Sequence, residues 1–136
     1  MTDIAKIKLI EQTVEMHYPD TGELLGVRIT LVSIDDKRTK ALKRAFMNRR
    51  QHLEVRGKYM KAEELEENQR TLIFTCMTGW EWYPLKKGED TTFEGSIPEF
   101  NRKNVDAVFD KLPWIEEEID EALGETKSFF GESKAT

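Results

Sequence analysis

The sequence predicts an α+β fold, with an N-terminal β-hairpin followed by a mainly helical bundle of about four helices. Three observations carry that expectation. Stretches rich in Ile, Val, Leu and Thr flank Pro19-Asp20-Thr21-Gly22 near the start, apolar residues recur at helical spacing from Leu42 onward, and capping residues, prolines and glycines punctuate the remainder. The expected organisation is one domain over residues 1–126, divided into a hairpin (1–34) and a helical part (35–126), with a flexible C-terminal tail at 127–136.

In the hairpin, Pro19 presets φ for the turn, Asp20 bonds to its own backbone and Gly22 takes the left-handed conformation of a bulged loop. Val27, Ile29 and Leu31 alternate with Arg28 and Thr30, which predicts one buried and one wet face. Ser33-Ile34-Asp35-Asp36 reads as a helix entry, with a hydroxyl cap followed by a carboxylate near the positive helix end. The first helix then carries Leu42, Ala45, Phe46, Arg49 and Leu53 on one side and ends or bends at Gly57.

A second helix begins near Ala62. Glu63, Glu64, Glu66 and Glu67 lie in its first turns, and its apolar stripe of Leu65, Leu72, Ile73, Cys76 and Met77 is expected to run into Trp80. Turn chemistry at Lys86 to Asp90 and at Gly95 to Pro98 predicts a loop over 84–100. Asn101 can cap a third helix bearing Val105, Val108, Phe109 and Leu112. Pro113 cannot continue that helix but suits the first turn of a fourth, which carries Ile115, Ile119, Ala122 and Leu123 and stops at Gly124.

At 136 residues the chain can bury a core without staples, and three Trp, three Tyr and seven Phe argue for a folded domain despite a charged fraction of 35%. A single cysteine, Cys76, cannot form an internal disulfide. No signal-peptide-like series opens the chain, so a reducing cytoplasm is expected. The apolar runs fall far short of the roughly 20 residues that cross a bilayer, so no membrane association is expected. The net charge of −5 conceals a partition: residues 37–61 carry ten basic side chains and one acidic, whereas each flanking region is acidic.

The motifs argue against catalysis. His17 and His52 lie on different predicted elements with no metal-ligand spacing, Cys76 sits on an apolar stripe, phosphate-binding glycine loops are missing, and the carboxylate clusters fall at helix starts. The expectation is a protein that is not an enzyme, with no catalytic residues, no metal and no cofactor. Lys37, Arg38, Lys40, Lys43, Arg44 and Arg50 are read as a charge-pairing helix that meets the Glu-rich start of the next helix, within the domain or between copies. Nucleic acid binding through the basic helix at 37–61 is the competing reading, opposed by the acidity of everything else. Trp80, Trp82 and Trp114 are expected mainly to close the core. The residues available to a partner are expected among Trp80, Trp82, Tyr83, Phe93, Trp114, Phe129 and Phe130, with Trp82 or Tyr83 the ones left over once Trp80 packs inward.

The order of features in "FTCMTGWEWYPL", "TTFEGSIPEFNRKNVDAVFDKL" and "PWIEEEIDEALGETKSFF" resembles the tail assembly chaperones of long-tailed bacteriophages and prophages, best over residues 72 to 130 and more loosely over 31 to 45. The resemblance rests on Gly79-Trp80, Phe93, Pro98-Glu99, Asn104-Val105, Leu112-Pro113-Trp114 and Phe129 or Phe130. One departure is that Phe100-Asn101-Arg102-Lys103 separates the Pro-Glu pair from Asn104. The resemblance implies a non-enzymatic role in the host bacterial cytoplasm. Such a protein binds the tape-measure protein, helps recruit tail-tube protein during tail morphogenesis and leaves the finished particle. A structural tail completion or adaptor protein retained in the virion is the alternative, and a nucleic-acid-binding regulator a second. The charge partition also suits self-association of copies.

Overall fold

The structure, a computed structural model, describes residues 7–125 and 130–132. Its elements in chain order are β1 (Ile7–Leu9), β2 (Gln12–His17), β3 (Leu24–Leu31), α1 (Lys37–Val55), α2 (Ala62–Cys76), β4 (Met77–Trp82), α3 (Arg102–Lys111), α4 (Pro113–Gly124) and β5 (Phe130–Glu132). The fold is α+β, with an N-terminal hairpin and four helices as expected. It also has a third strand in the main sheet that the sequence reading did not contain.

The hairpin of β2 and β3 closes where the turn residues predict. The Gly22 amide donates to the Tyr18 carbonyl at 3.0 Å, and Gly22 takes φ +74°. Val14 pairs with Ile29 and Gln12 with Leu31, with a bulge between Glu15 and His17. Pairing with β3 ends at Gln12, and beyond Leu31 the Val32 amide bonds the Cys76 carbonyl at 2.7 Å on the β4 side. The expected long first limb of the hairpin is therefore split, and its earlier part, β1, pairs antiparallel with β5 instead. Phe130–Glu132, within the stretch expected as a flexible tail, returns to pair with the β1 backbone. The rest of the tail lies outside the described residues.

The larger correction concerns Met77 to Trp82. The apolar stripe of α2 does not run on as helix into Trp80; the helix stops at Cys76, and Met77 is already extended at φ −85°, ψ 130°. Thr, Gly and two Trp in six residues favour strand over helix, and the free edge of β3 offers their backbone a ladder. In the order β2-β3-β4, Trp82 pairs with Val27, Trp80 with Ile29 and Met77 with Leu31, so both indoles lie on the same face as the buried β3 residues. On the opposite face Glu15, Arg28 and Glu81 form a row across the three strands, with Arg28 Nε 2.8 Å from Glu15 and Arg28 Nη1 3.1 Å from Glu81.

The helix ends follow their caps, with one change. Asp36 caps α1 by accepting from the Arg38 amide at 3.0 Å, while the Ser33 hydroxyl, expected to cap, accepts from the Asp35 amide in the preceding turn. Asn101 caps α3 by accepting from the Asn104 amide at 2.9 Å, and Pro113 opens α4. Gly57 ends α1 at φ +70°, where the Lys58 amide closes back onto the Leu53 carbonyl at 2.8 Å. Gly26 is a close approach: at φ +93°, a Cβ there would stand 3.0 Å from the Tyr83 carbonyl. The loop after β4 can lie against β3 only because that side chain is missing.

The core joins Met16, Val27, Ile29 and Leu31 of the sheet to Ile73 and Cys76 of α2, Val105, Val108 and Phe109 of α3, and Ile115, Ile119 and Leu123 of α4. Burial then falls away along α1 and the first half of α2. Between Lys40 and Gln69 only Leu53 is buried. These two helices pack on each other and form an arm standing off the core. No helix among the described residues is long and apolar enough to cross a membrane.

Candidate functional site

Three surfaces follow from this arrangement. The first is aromatic. Trp80 and Trp82, two positions apart on β4, meet edge to face at 5.5 Å between ring centroids. Trp80 also meets Phe100 at 5.7 Å, Phe100 stacks on Phe74 at 5.5 Å, and Trp82 meets Phe93 at 6.4 Å. The Trp80 indole N–H donates to the Pro98 carbonyl at 3.0 Å. Trp80, Trp82 and Phe93 are thus brought together as a half-buried seam between the sheet and the loop that follows it, with their edges packed inward. Trp114, at the start of α4, packs against the core separately. The indole nitrogens of Trp82 and Trp114 are buried without a hydrogen-bond partner among the described residues.

Tyr83 lies apart from this seam. Its hydroxyl donates to Glu15, and the Arg28 guanidinium stands 4.2 Å from its ring centroid. The Tyr83 hydroxyl, followed by Arg28, holds the Glu15 carboxyl below its ordinary value, against partial desolvation. Burial, then the bond to Glu15, raises the Tyr83 hydroxyl. Phe129 lies outside the described residues, and Phe130 enters as backbone of β5.

The second surface is the arm. The expected pairing of α1 with the Glu-rich start of α2 is made through Arg49, which bonds Glu64 at 3.2 Å, and the sequence reading had placed Arg49 on the apolar stripe. Of the residues named for pairing, Arg38 bonds its own cap Asp36 and Arg50 bonds Glu54 one turn on. Lys37, Lys40, Lys43 and Arg44 make no ion pair among the described residues. The reason is angular: Leu42, Phe46, Arg49 and Leu53 face α2, so at 100° per residue Lys37, Lys40 and Arg44 point the other way. The arm also exposes apolar side chains that the sequence reading missed. Val55 is 88% and Tyr59 90% exposed, and Met47 and Leu65 are more than half exposed. Met47 falls off the stripe by its spacing, and Val55 and Tyr59 flank the helix-ending Gly57, which was the available signal.

The third surface is acidic. Arg70 gathers Glu116 at 3.1 Å and Asp110 at 2.8 Å, and Arg102 gathers Glu67 at 2.7 Å and Asp106 at 2.9 Å, which ties α2 to α3 and α4. The Glu116 and Asp110 carboxylates raise the Arg70 guanidinium, so it stays charged throughout. The Arg70 clamp forms one wall of a groove of about 390 Å³ whose lining also includes Glu63, Glu66, Glu117 and Asp120, none of these four ion-paired among the described residues.

The groups weighed for chemistry are placed apart. Cys76 is fully buried, and burial pushes its thiol up to about 11, so it is a neutral core side chain at ordinary pH. His17 joins the edge of β2 to α4, with Nδ1 2.7 Å from Glu118 and its amide donating to the same carboxylate at 3.1 Å. His52 is exposed on the arm. Among the described residues no group of three or more His, Cys, Asp or Glu is placed to hold a metal ion.

No known protein family, curated protein or solved structure matches the chain.

Proposed function

We propose that the protein is a non-enzymatic tail assembly chaperone of a long-tailed bacteriophage or prophage, acting in the host bacterial cytoplasm. It binds the tape-measure protein and helps bring tail-tube subunits to it. The observation that carries the binding role is the arm, whose far end holds Val55 and Tyr59 almost wholly in solvent beside Arg56, Lys58 and Lys61. A client with long amphipathic helices supplies the apolar stripe that such side chains can cover, and several copies along it add weak contacts into tight binding.

The residues of the resemblance support the reading in a second way. Gly79-Trp80, Phe93, Pro98 and Leu112-Pro113-Trp114 are not scattered: they build the aromatic seam, its hydrogen bond and the junction of α3 with α4. These are packing residues of one scaffold, which is how a family without a catalytic signature would be held together.

The reading requires that a gene for a long helical protein lie beside this one, and the test is co-expression with that protein. The wild type is expected to keep that client soluble and to copurify with it. Val55→Asp with Tyr59→Asp is expected to lose the client while the far-UV circular dichroism and melting temperature stay unchanged. Mass spectrometry of purified particles separates this reading from a tail completion or adaptor protein, since a chaperone is missing from them and a completion protein is present. A client that stays insoluble with the wild type would overturn the reading.

A further inference from the structure

We propose that copies of this chain associate head to tail, with the outward face of α1 in one copy seated in the acidic groove between α2 and α4 of the next. The inference stands on charge placement and does not depend on the identity of the client. At 100° per residue, Lys37, Lys40, Arg44, Met47 and Gln51 fall within about 80° of one another on α1, and all five are exposed. This is a helix face with no partner among the described residues, because α1 packs on α2 through its opposite side, by Leu42, Phe46, Arg49 and Leu53. Its three cations make no ion pair among the described residues, and Met47 lies among them.

The counter-surface is on the chain itself. Glu63, Glu66, Glu117 and Asp120 present four carboxylates that Arg70 and Arg102 do not gather. Four acids against three cations is close to neutral, and the groove lies between helices, where another helix can lie. One copy cannot satisfy itself: the cations point away from α2, and the groove opens on the flank of α2 that meets α4. The two faces are different patches looking in different directions, so their contact is heterologous and continues from copy to copy until it closes or ends.

A nucleic acid would also meet the cations. The remainder of the chain, with 25 acidic and 11 basic side chains outside residues 37–61, repels phosphate and favours an acidic protein surface instead. The apolar reach of Met47 matters as well, since it can rest on the methylene stems of the groove's long side chains, whereas surface ion pairs by themselves contribute little.

Sedimentation velocity of the full chain tests this. At an ionic strength of about 0.01 M, where screening reaches about 30 Å, the wild type is expected to sediment as species larger than a monomer that grow with concentration. At about 1 M, where screening reaches about 3 Å, it is expected to return to monomer. Lys40→Glu with Arg44→Glu, and separately Glu66→Lys with Glu117→Lys, alter exposed positions outside the core, and circular dichroism checks that both variants stay folded. Each alone is expected to be monomeric at low salt, and mixing the two to restore assembly, because each supplies the face complementary to the other. The proposal is overturned by a wild type that is monomeric at both ionic strengths, by self-association that survives either reversal, or by a mixture that stays dissociated. It is equally overturned by a wild type that retards duplex DNA at low salt while sedimenting as a monomer.

Discussion

Two tryptophans on one strand face make a controlled comparison of what an indole N–H contributes. Trp80 gives its N–H to the Pro98 carbonyl, while the N–H of Trp82 is buried without a partner among the described residues. Replacing either by Phe removes similar ring area, but Trp80→Phe also frees a carbonyl, whereas Trp82→Phe removes a donor that is already unsatisfied. Trp80→Phe is expected to cost about 1 kcal/mol more than Trp82→Phe, read as a larger drop in the urea midpoint at unchanged slope. Cys76 offers a second reading at this scale. Its thiol is raised by burial from 9.0 to about 11, so the folded state holds the proton more tightly than the unfolded state. The associated stability is complete below pH 9 and declines as pH rises towards 11. Tyr83, also raised, adds to the same alkaline limb, so the difference between wild type and Cys76→Ala isolates the thiol: the variant should show the shallower loss between pH 9 and 11.

Among the elements, α2 carries three duties at once. Its last turn is core, its middle is clamped by Arg70 to α3 and α4, and its first half belongs to the arm. Arg70→Ala would leave the Asp110 and Glu116 carboxylates without the cation between them, while Asp106 keeps Arg102. We expect a loss of about 2 kcal/mol, seen as a lower melting temperature, and little recovery in Arg70→Lys, because an ammonium cannot repeat the forked contact with Glu116. These elements also show what a linear reading can and cannot see. The turn at Pro19 to Gly22, the Asn101 cap and the Pro113 start were legible because each is local chemistry acting on its own few residues. The strand at Met77 to Trp82 was not: its apolar residues extend the stripe of α2 without a break, and only the distant edge of β3 decides that the backbone extends. Arg49 was placed on the correct face but without its acidic partner, since helical spacing assigns a face and cannot say whether that face meets apolar or acidic neighbours. The aromatic seam was half legible. The indoles were expected to close the core, but Phe100 and the Pro98 carbonyl as their partners depend on where the loop folds back.

For the whole molecule the division is between a body, where sheet and helices share one core, and an arm with little holding it. Residues 56 to 61, which join α1 to α2, are nearly all exposed and include Arg56, Lys58 and Lys61. Limited trypsin digestion is expected to nick there first, well before the core is cut, giving two fragments that stay together under native conditions. Occupation of the arm by a client should slow that cleavage, which separates a client held at the arm from one held on the sheet.

One junction gives this division a mechanical meaning. The chain passes from Cys76 at the foot of the arm to Met77 in the sheet with no loop between them, and Val32 bonds the Cys76 carbonyl at that point. There is no slack to absorb a tilt. A pull on the handle at Tyr59 turns the rod that is α2, and the rod is welded to the strand bearing Trp80 and Trp82. The glow of those two indoles should therefore register a load gripped at the distant end.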